Sequence, residues 1–379
     1  MTVTMASREE YHGPTTIVDE KPWKTPGCRR FDVGPRHSNG RCCVKITPGK
    51  LAGMDAVSDG RGAIAAAAMD QRGSLKKALG KAKGGDVSDA MMEEFKGAVT
   101  EVLTSHASAI LLDPQWGLPA SKKRAKDAGL LLAYEESGYD NNKPGRLPAL
   151  LPGWSVQRLK AEGANCIKLL LYYTPFETRE VNEQKHAFIE RIGDECRAND
   201  IPFFLEPVGY DPTGGDEKGA DYAKIKPEVV KQSMAEFTQD RYGVDVMKVE
   251  VPVNMKCVEG AKAFAGARVY SRDEALDHFR AAAAVATKPF IYLSAGVSNA
   301  EFTESLELAN ESGVKFSGVL CGRATWKEGI PVYATQGIEA FRNWLEGEGV
   351  DNIGNVNERL RTAHPWFTAY GAASADALA

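Results

Sequence analysis

Eight apolar runs alternate with longer helical stretches along most of this chain. The runs are nearly continuous in Ala, Val, Ile and Leu, a pattern typical of strands that are buried on both faces of a parallel sheet. Eight strands that alternate with helices predict a closed (β/α)8 barrel, the TIM barrel. The runs are residues 62–70, 107–114, 129–135, 164–173, 201–207, 244–253, 289–296 and 316–324.

Helical periodicity fills most of the intervals between these runs. A doubly wound open sheet is the alternative fold, but it predicts a glycine-rich phosphate turn after the first strand, and the sequence has none there. The first run is rich in alanine, which also suits a helix. The interval 113–128 is too short for a full helix with two loops, so the second unit is predicted to be irregular. The predicted helical stretches are 93–105, 154–162, 183–199, 227–237, 272–287, 299–312 and 336–345.

The two ends of the chain lack the pattern of the middle. Residues 1–50 are rich in Pro, Gly, Arg and Thr and are predicted to form a partly irregular N-terminal extension. Residues 51–366 are predicted to form the barrel, and residues 367–379 a flexible C-terminal tail. Cysteines 28, 42 and 43 lie near His37, but their spacing fits no standard zinc site, so no metal is predicted.

Charge and hydropathy exclude two classes of partner. The net charge of -4 gives no argument for a nucleic-acid partner. No apolar run approaches the roughly 20 residues of a membrane span, and the first residues do not resemble a secretory signal. The sequence therefore predicts a cytoplasmic protein without a membrane or nucleic-acid partner.

A lysine interrupts the apolar run 244–253, which reads VDVMKVEVPV. Removing the ammonium group of Lys248 from water costs several kcal/mol, so burial is expected to lower its pKa toward a neutral amine. A neutral amine is a nucleophile that forms a Schiff base with a carbonyl substrate. The structural alternative is a lysine that reaches solvent or pairs with Glu250.

Polar side chains stand at the carboxyl ends of all eight predicted strands, where the active sites of such barrels gather. The two-residue period of a strand places Lys168, Glu206 and Lys248 on inward faces, with Glu250 on the same face as Lys248. Lys168 is expected to lower the pKa of Lys248 further, and Glu206 is a candidate acid/base group. The alternative is a charge network that only holds the barrel together. The polar strand ends are Asp70, Gln71, Arg72, Asp113, Glu135, Lys168, Tyr172, Glu206, Lys248, Glu250, Ser294, Gly296, Gly322 and Arg323.

Small residues and an arginine follow strands 7 and 8, where barrels often bind phosphate. Ser294 and Gly296 follow strand 7, and Gly322 and Arg323 follow strand 8. Small residues let the backbone approach an anion, and the guanidinium adds a fork of donors. The alternative is that these glycines only turn the chain.

Nine ordered segments resemble the tagatose 1,6-bisphosphate aldolase family, which is of the class I, Schiff-base type. The resemblance implies a (β/α)8 barrel that cleaves a ketose 1,6-bisphosphate reversibly to dihydroxyacetone phosphate and glyceraldehyde 3-phosphate, with no cofactor and no metal. The resemblance covers roughly Gly53 to Trp366. It is carried by the segments MDQRGSLKKAL, ILLDPQWGLPA, GLLLAYEESGYD, IKLLLYY, NEQKHAFIERIGDEC, IPFFLEP, RYGVDVMKVEVPVNMKCVEG, IYLSAGVS and GVLCGRATW.

The resemblance also assigns residues. The Schiff-base lysine of the family falls on Lys248, its second lysine on Lys168 and its acid/base glutamate on Glu206. The aspartate of its DQRG turn falls on Asp70, and its phosphate ligands fall on Ser294 and Arg323. Gln71, Arg72 and Gly322 are further substrate-binding residues, with Arg72 directed to the far phosphate.

Several alternatives stay open at this point. The first 45 or so residues have no counterpart in the family, and the loop 207–217 leaves the exact substrate open. The preferred ketose is the tagatose or the fructose 1,6-bisphosphate. A sulfo-sugar phosphate aldolase would use the same mechanism. A sugar-phosphate isomerase or epimerase would use Glu206 as its base, and a non-catalytic sugar-phosphate sensor would recruit a partner through residues 1–50. Assembly into a homo-oligomer is compatible with each.

Overall fold

Eight parallel strands, β1 to β8, close into a barrel in sequence order. The computed structural model describes residues 45–138 and 144–379. The predicted (β/α)8 barrel is confirmed, because β8 pairs with β1 in parallel (Ile64 with Gly318) and leaves no open edge. The strands are β1 (Ile64–Met69), β2 (Ala109–Leu112), β3 (Gly129–Ala133), β4 (Cys166–Tyr172), β5 (Phe203–Val208), β6 (Val246–Val249), β7 (Phe290–Leu293) and β8 (Gly318–Cys321).

Helices cover the outside of the barrel. All seven predicted helical stretches overlap helices, and the interval after β2 holds only the four-residue helix α4, in agreement with the irregular second unit. The prediction missed α1, α2, α10 and α12. Within the described residues the α-helices are α1 (Pro48–Val57), α2 (Gly73–Lys83), α3 (Asp89–Leu103), α4 (Leu118–Ser121), α5 (Val156–Ala161), α6 (Arg179–Ala198), α7 (Ala220–Phe237), α8 (Arg272–Ala284), α9 (Asn299–Ser312), α10 (Arg323–Trp326), α11 (Gly329–Trp344) and α12 (Val350–Arg359).

Side-chain caps fix where several of these helices begin. Ser271 accepts a hydrogen bond from Glu274 N, and the Glu274 side chain accepts one from Ser271 N, which together form a capping box at the start of α8. Ser88, Thr178 and Ser298 accept backbone hydrogen bonds in the same way at the starts of α3, α6 and α9. Side-chain hydrogen bonds therefore define where these four helices begin.

The barrel interior is apolar except near the carboxyl ends of the strands, where it is charged. Small and branched side chains fill the lower interior, and α1, Trp366 and Leu378 close its floor. Two residues further along six of the strands or just past their ends, a charged side chain occupies the next position in the alternation. We call this set the polar layer; it follows the inward residues Ala68, Leu111, Ala133, Cys166, Phe204 and Val246 and comprises Asp70, Asp113, Glu135, Lys168, Glu206 and Lys248.

Both ends of the barrel domain differ from the sequence prediction. Residues 48–50, assigned to the extension, begin α1, and Lys50 forms an ion pair with Asp245 at 2.7 Å. The C-terminal segment, expected to be flexible, packs on the barrel floor: Leu378 is 2% exposed, and its carbonyl accepts a hydrogen bond from Ile46 N at 2.8 Å. Leu378 packs in the floor cluster, and Phe367 and Tyr370 pack against it, which accounts for the difference.

Residues 1–44 of the predicted extension, with Cys28, Cys42, Cys43 and His37, lie outside the described residues. Cys166, Cys257 and Cys321 are buried thiols, as expected for core cysteines. Over residues 45–138 and 144–379, no helix has both the length and the apolar content to cross a membrane.

Replacing Gly193 with alanine is expected to destabilise the fold by about 1–3 kcal/mol. A Cβ at this position of α6 would lie 2.0 Å from the carbonyl oxygen of Tyr242, so the backbone has to move. Gly354→Ala in α12 is the matched control, because no atom lies within 4 Å of its added Cβ. The control is expected to stabilise the protein by roughly 0.5–1 kcal/mol. Urea unfolding midpoints measure both changes, and effects of the same sign would contradict the close approach.

Candidate active site

Lys168 lies at the centre of the polar layer. Its Nζ is 2.8 Å from Asp70 Oδ2, 2.9 Å from Glu135 Oε1 and 2.7 Å from Glu206 Oε2. Burial alone lowers the pKa of this fully buried lysine, but the three carboxylates outweigh burial and raise its pKa well above the ordinary value. Lys168 is therefore a fixed positive charge at neutral pH.

Asp70 is ionised for the complementary reason. Burial raises the pKa of this carboxyl group, but the nearby ammonium groups of Lys168 and Lys248 lower it below its ordinary value. Asp70 Oδ1 is buried and has no hydrogen-bond partner among the described residues. One oxygen of a charged carboxylate is thus held by Lys168, and the other remains for a hydroxyl donor.

Lys248 shares a carboxylate oxygen with Lys168. Its Nζ lies 2.9 Å from Glu206 Oε2, the same atom that lies 2.7 Å from Lys168 Nζ. The side chain of Lys248 is 4% exposed, and its strand position pairs in register with Ile291 of β7. The structure therefore brings the three residues Lys168, Glu206 and Lys248 together, and it places Lys248 beside the strand that leads to Ser294.

Glu250 does not join this cluster, contrary to the shared face assigned from the sequence. Its Oε2 accepts a hydrogen bond from Gly209 N at 2.8 Å, and its Oε1 lies 3.4 Å from Lys226 Nζ. Glu250 follows the last residue of β6, Val249, and past the end of a strand its alternation no longer fixes the direction of a side chain. The simple ion pair between Lys248 and Glu250 is replaced by the pair with Glu206.

Lys96 supports the turn after β1 from behind, and the sequence analysis missed it. Its fully buried Nζ donates hydrogen bonds to the carbonyl groups of Met69 at 2.6 Å and Gln71 at 2.8 Å, and it forms an ion pair with Asp113 at 2.6 Å. Burial lowers the pKa of Lys96, while Asp113 opposes the change. A lysine in a helix is ordinarily solvated, so the sequence gives little sign that Lys96 is buried. The one hint is its place in α3 between Phe95 and Gly97, both of which are buried in the structure.

Arg72 brings unpaired donors to the same region. The side chain is 4% exposed, and its Nη2 lies 3.6 Å from Glu135 Oε1. Its Nε and Nη1, together with Gln71 Oε1, are buried without a hydrogen-bond partner in the described residues. Unsatisfied buried polar atoms are costly in a fold, and a bound ligand with hydroxyl or phosphate oxygens would satisfy them.

Ser294, Gly296, Gly322 and Arg323 lie together after β7 and β8, and we call them the anion clamp. The backbone at Ala295 and Gly296 is left-handed, with φ of 46° and 76°. A Cβ on Gly296 would lie 2.6 Å from Arg323 Cζ, so the guanidinium packs directly against this glycine. A Cβ on Gly322 would lie 3.2 Å from Gln71 Nε2, which places Gln71 beside the clamp. The small residues at both positions let these side chains lie close to the backbone.

A family model described as DeoC/LacD family aldolase matches residues 64–328. The chain belongs to this aldolase family. A tagatose 1,6-diphosphate aldolase of Listeria monocytogenes is 51% identical over 330 residues, which cover 86% of this chain and 96% of the relative. The tagatose 1,6-diphosphate aldolase 2 of Enterococcus faecalis is 52% identical over 325 residues, which cover 85% and 97%. The family resemblance drawn from the sequence is confirmed.

The fold of this aldolase family member also resembles a solved structure. A crystal structure of a Corynebacterium glutamicum protein superposes with a TM-score of 0.52 at 14% identity, covering 82% of this chain and 92% of the other. The likeness supports the barrel fold. Among residues 45–138 and 144–379 no group of three or more His, Cys, Asp or Glu side chains is arranged to hold a metal ion.

Proposed function

We propose that this chain is a class I aldolase that cleaves tagatose 1,6-bisphosphate, and also fructose 1,6-bisphosphate, to dihydroxyacetone phosphate and glyceraldehyde 3-phosphate. The observation that carries the proposal is the buried Lys248 with Nζ 2.9 Å from Glu206, on the strand adjacent to the anion clamp. The names of the Listeria and Enterococcus relatives, at about half identity over most of both chains, supply the substrate.

The anion clamp holds the C1 phosphate and so fixes the C2 carbonyl next to the amine of Lys248. Glu206 accepts a proton from the lysine, and the neutral nitrogen attacks C2 to form a carbinolamine. Glu206 then returns a proton to the C2 oxygen, which leaves as water. The product is an iminium linkage between Lys248 and the sugar.

The iminium accepts the electron pair of the C3–C4 bond when that bond breaks. The C4 hydroxyl loses its proton to Glu206, directly or through water, and glyceraldehyde 3-phosphate leaves. The enamine that remains is protonated at C3, and water releases dihydroxyacetone phosphate. Asp70 orients the hydroxyls beside the scissile bond, and the positive charge of Lys168 stabilises developing negative charge. Gln71 and Arg72 bind substrate oxygens through their unpaired atoms.

The proposal predicts triose phosphates as products from a ketose bisphosphate, and turnover without a metal. We expect purified protein to release both trioses from the tagatose and fructose 1,6-bisphosphates, detected by coupled reduction and oxidation of the two products. Pre-incubation with excess EDTA is expected to leave the rate unchanged, because the electron sink is the iminium rather than a metal ion.

Two outcomes would contradict this function. Loss of the rate in EDTA with recovery on added Zn²⁺ would indicate a metal-dependent aldolase. Conversion of the ketose to an isomer without triose release would indicate an isomerase or epimerase that uses Glu206 as its base.

A further inference from the structure

Arg146 lies outside the polar layer, on the segment between β3 and α5. The centre of its guanidinium is 5.0 Å from the ring of Tyr172 and 4.7 Å from the ring of Tyr210. Its Nη2 is 2.7 Å from Glu217 Oε1, and its side chain is 15% exposed. The backbone φ of Arg146 is 44°, a conformation that costs free energy for a residue with a side chain and that clusters at functional sites.

Tyr172 connects Arg146 to the active site. It is the last residue of β4 and shares the strand face of Lys168, four residues earlier. Its ring lies 5.0 Å from the guanidinium of Arg146, and burial raises the pKa of its phenol. Arg146 therefore stands at the mouth of the barrel above Lys168.

The order of the strands places Arg146 across the mouth from the anion clamp. In a closed barrel of eight strands in sequence order, β4 is opposite β8, and Arg323 directly follows β8. A ketose with its C1 phosphate at the clamp and C2 at Lys248 extends its C6 end away from β8. Arg72, by contrast, follows β1, which is the neighbour of β8.

We propose that Arg146, held between Tyr172 and Tyr210, is the distal anion site of the substrate and binds the oxyanion carried on C6. The inference rests on the proposed aldolase function, and it adds the residue that binds the second negatively charged group of the substrate. A guanidinium fork matches a phosphate or a sulfonate, so the shared ligand chemistry is a tetrahedral oxyanion.

The surroundings hold the guanidinium in a defined position. Fully buried Lys185 donates a hydrogen bond to the hydroxyl of Tyr210 at 2.9 Å, and that hydroxyl donates to Glu177 Oε2 at 2.7 Å. Tyr210, four residues after Glu206, is thus fixed as a platform for Arg146. Glu217, whose side chain is 36% exposed, is the carboxylate that an incoming oxyanion replaces.

The test compares two substrates that differ only at C6. Arg146→Gln is expected to lower kcat/KM for the ketose 1,6-bisphosphate roughly 10- to 100-fold, the loss of one charge-assisted interaction. Cleavage of the ketose 1-phosphate is expected to stay within about twofold of wild type, since that substrate has no distal anion. A ketose 1-phosphate with a C6 sulfonate, measured in the same way, shows which oxyanion the site prefers.

Glu217→Gln is the matched control, because it breaks the same ion pair and keeps the guanidinium. This variant is expected either to leave the KM for the bisphosphate unchanged or to lower that KM. A loss in Glu217→Gln equal to that in Arg146→Gln would show that the pair only holds the loop, and would overturn the proposal. Equal losses on both substrates, no loss at all, or a selective loss in Arg72→Gln instead would also overturn it.

A binding measurement tests the distal site independently of the proposed aldolase activity. Calorimetric titration of the Lys248→Met protein with each ketose phosphate measures binding without turnover. Arg146→Gln in that background is expected to weaken binding of the ketose bisphosphate by the same 10- to 100-fold factor. Binding of the ketose 1-phosphate is expected to be unaffected. Absence of turnover in the wild type would refute the aldolase, whereas absence of this selectivity would refute the distal site.

Discussion

Lys248→Met is expected to lose ketose cleavage by a factor on the order of 10⁵ or more, since a covalent intermediate has no route without its nucleophile. The fold is expected to survive. Methionine fills the buried strand position with an unbranched apolar chain, and Glu206 keeps Lys168 as a partner at 2.7 Å. Steady-state release of triose phosphates measures the activity, and circular dichroism measures the fold.

Borohydride reduction in the presence of dihydroxyacetone phosphate identifies the nitrogen. Wild-type protein is expected to gain one substrate-derived adduct on the peptide that contains Lys248, and Lys248→Met none. Lys256→Met, at an exposed lysine eight residues further on, is the control and is expected to keep both turnover and the adduct. Triose release by Lys248→Met near the wild-type rate would sink the Schiff-base mechanism.

The sequence was sufficient for the barrel because its information is periodic. Each apolar run marks a strand, and the two-residue alternation inside β4, β5 and β6 places Lys168, Glu206 and Lys248 on inward faces, where the structure finds them. The same rule failed for Glu250, because β6 ends one residue earlier and the chain turns away. Past a strand end, alternation still held for Asp70 and Glu135, which contact Lys168, but not for Glu250, so it is a dependable guide only inside a strand.

Contacts between elements that are far apart along the chain could not be predicted from the sequence. Lys96 looks like an ordinary helix lysine until α3 packs against β1 and brings its Nζ to 2.8 Å from the carbonyl of Gln71. Arg146 lies in a segment without periodicity, and only the fold brings it over Tyr172. Leu378 is the one large aliphatic residue in a tail of mostly small residues, so composition gave no reason to place it in the floor of the barrel.

Lys168→Met is expected to destabilise the protein by about 3–5 kcal/mol, because it leaves buried carboxylates without their cation. Asp70, Glu135 and Glu206 all lie within 2.9 Å of Lys168 Nζ. Of these, Glu206 keeps Lys248, and Glu135 keeps Arg72 at 3.6 Å and the hydrogen bond from Leu170 N at 3.1 Å. Urea unfolding followed by fluorescence measures the change as a shift in midpoint.

The double variant Lys168→Met with Glu135→Gln tests the cause of that loss. Removing one of the stranded charges is expected to restore part of the stability, which gives a non-additive double-mutant cycle. Lys224→Met, at the exposed pair with Asp221, is the control and should not shift the midpoint. An unshifted midpoint in Lys168→Met would contradict the charge network. A shifted midpoint with unchanged kcat per folded molecule would assign Lys168 to the barrel alone, because a cation that stabilises developing charge must also affect turnover.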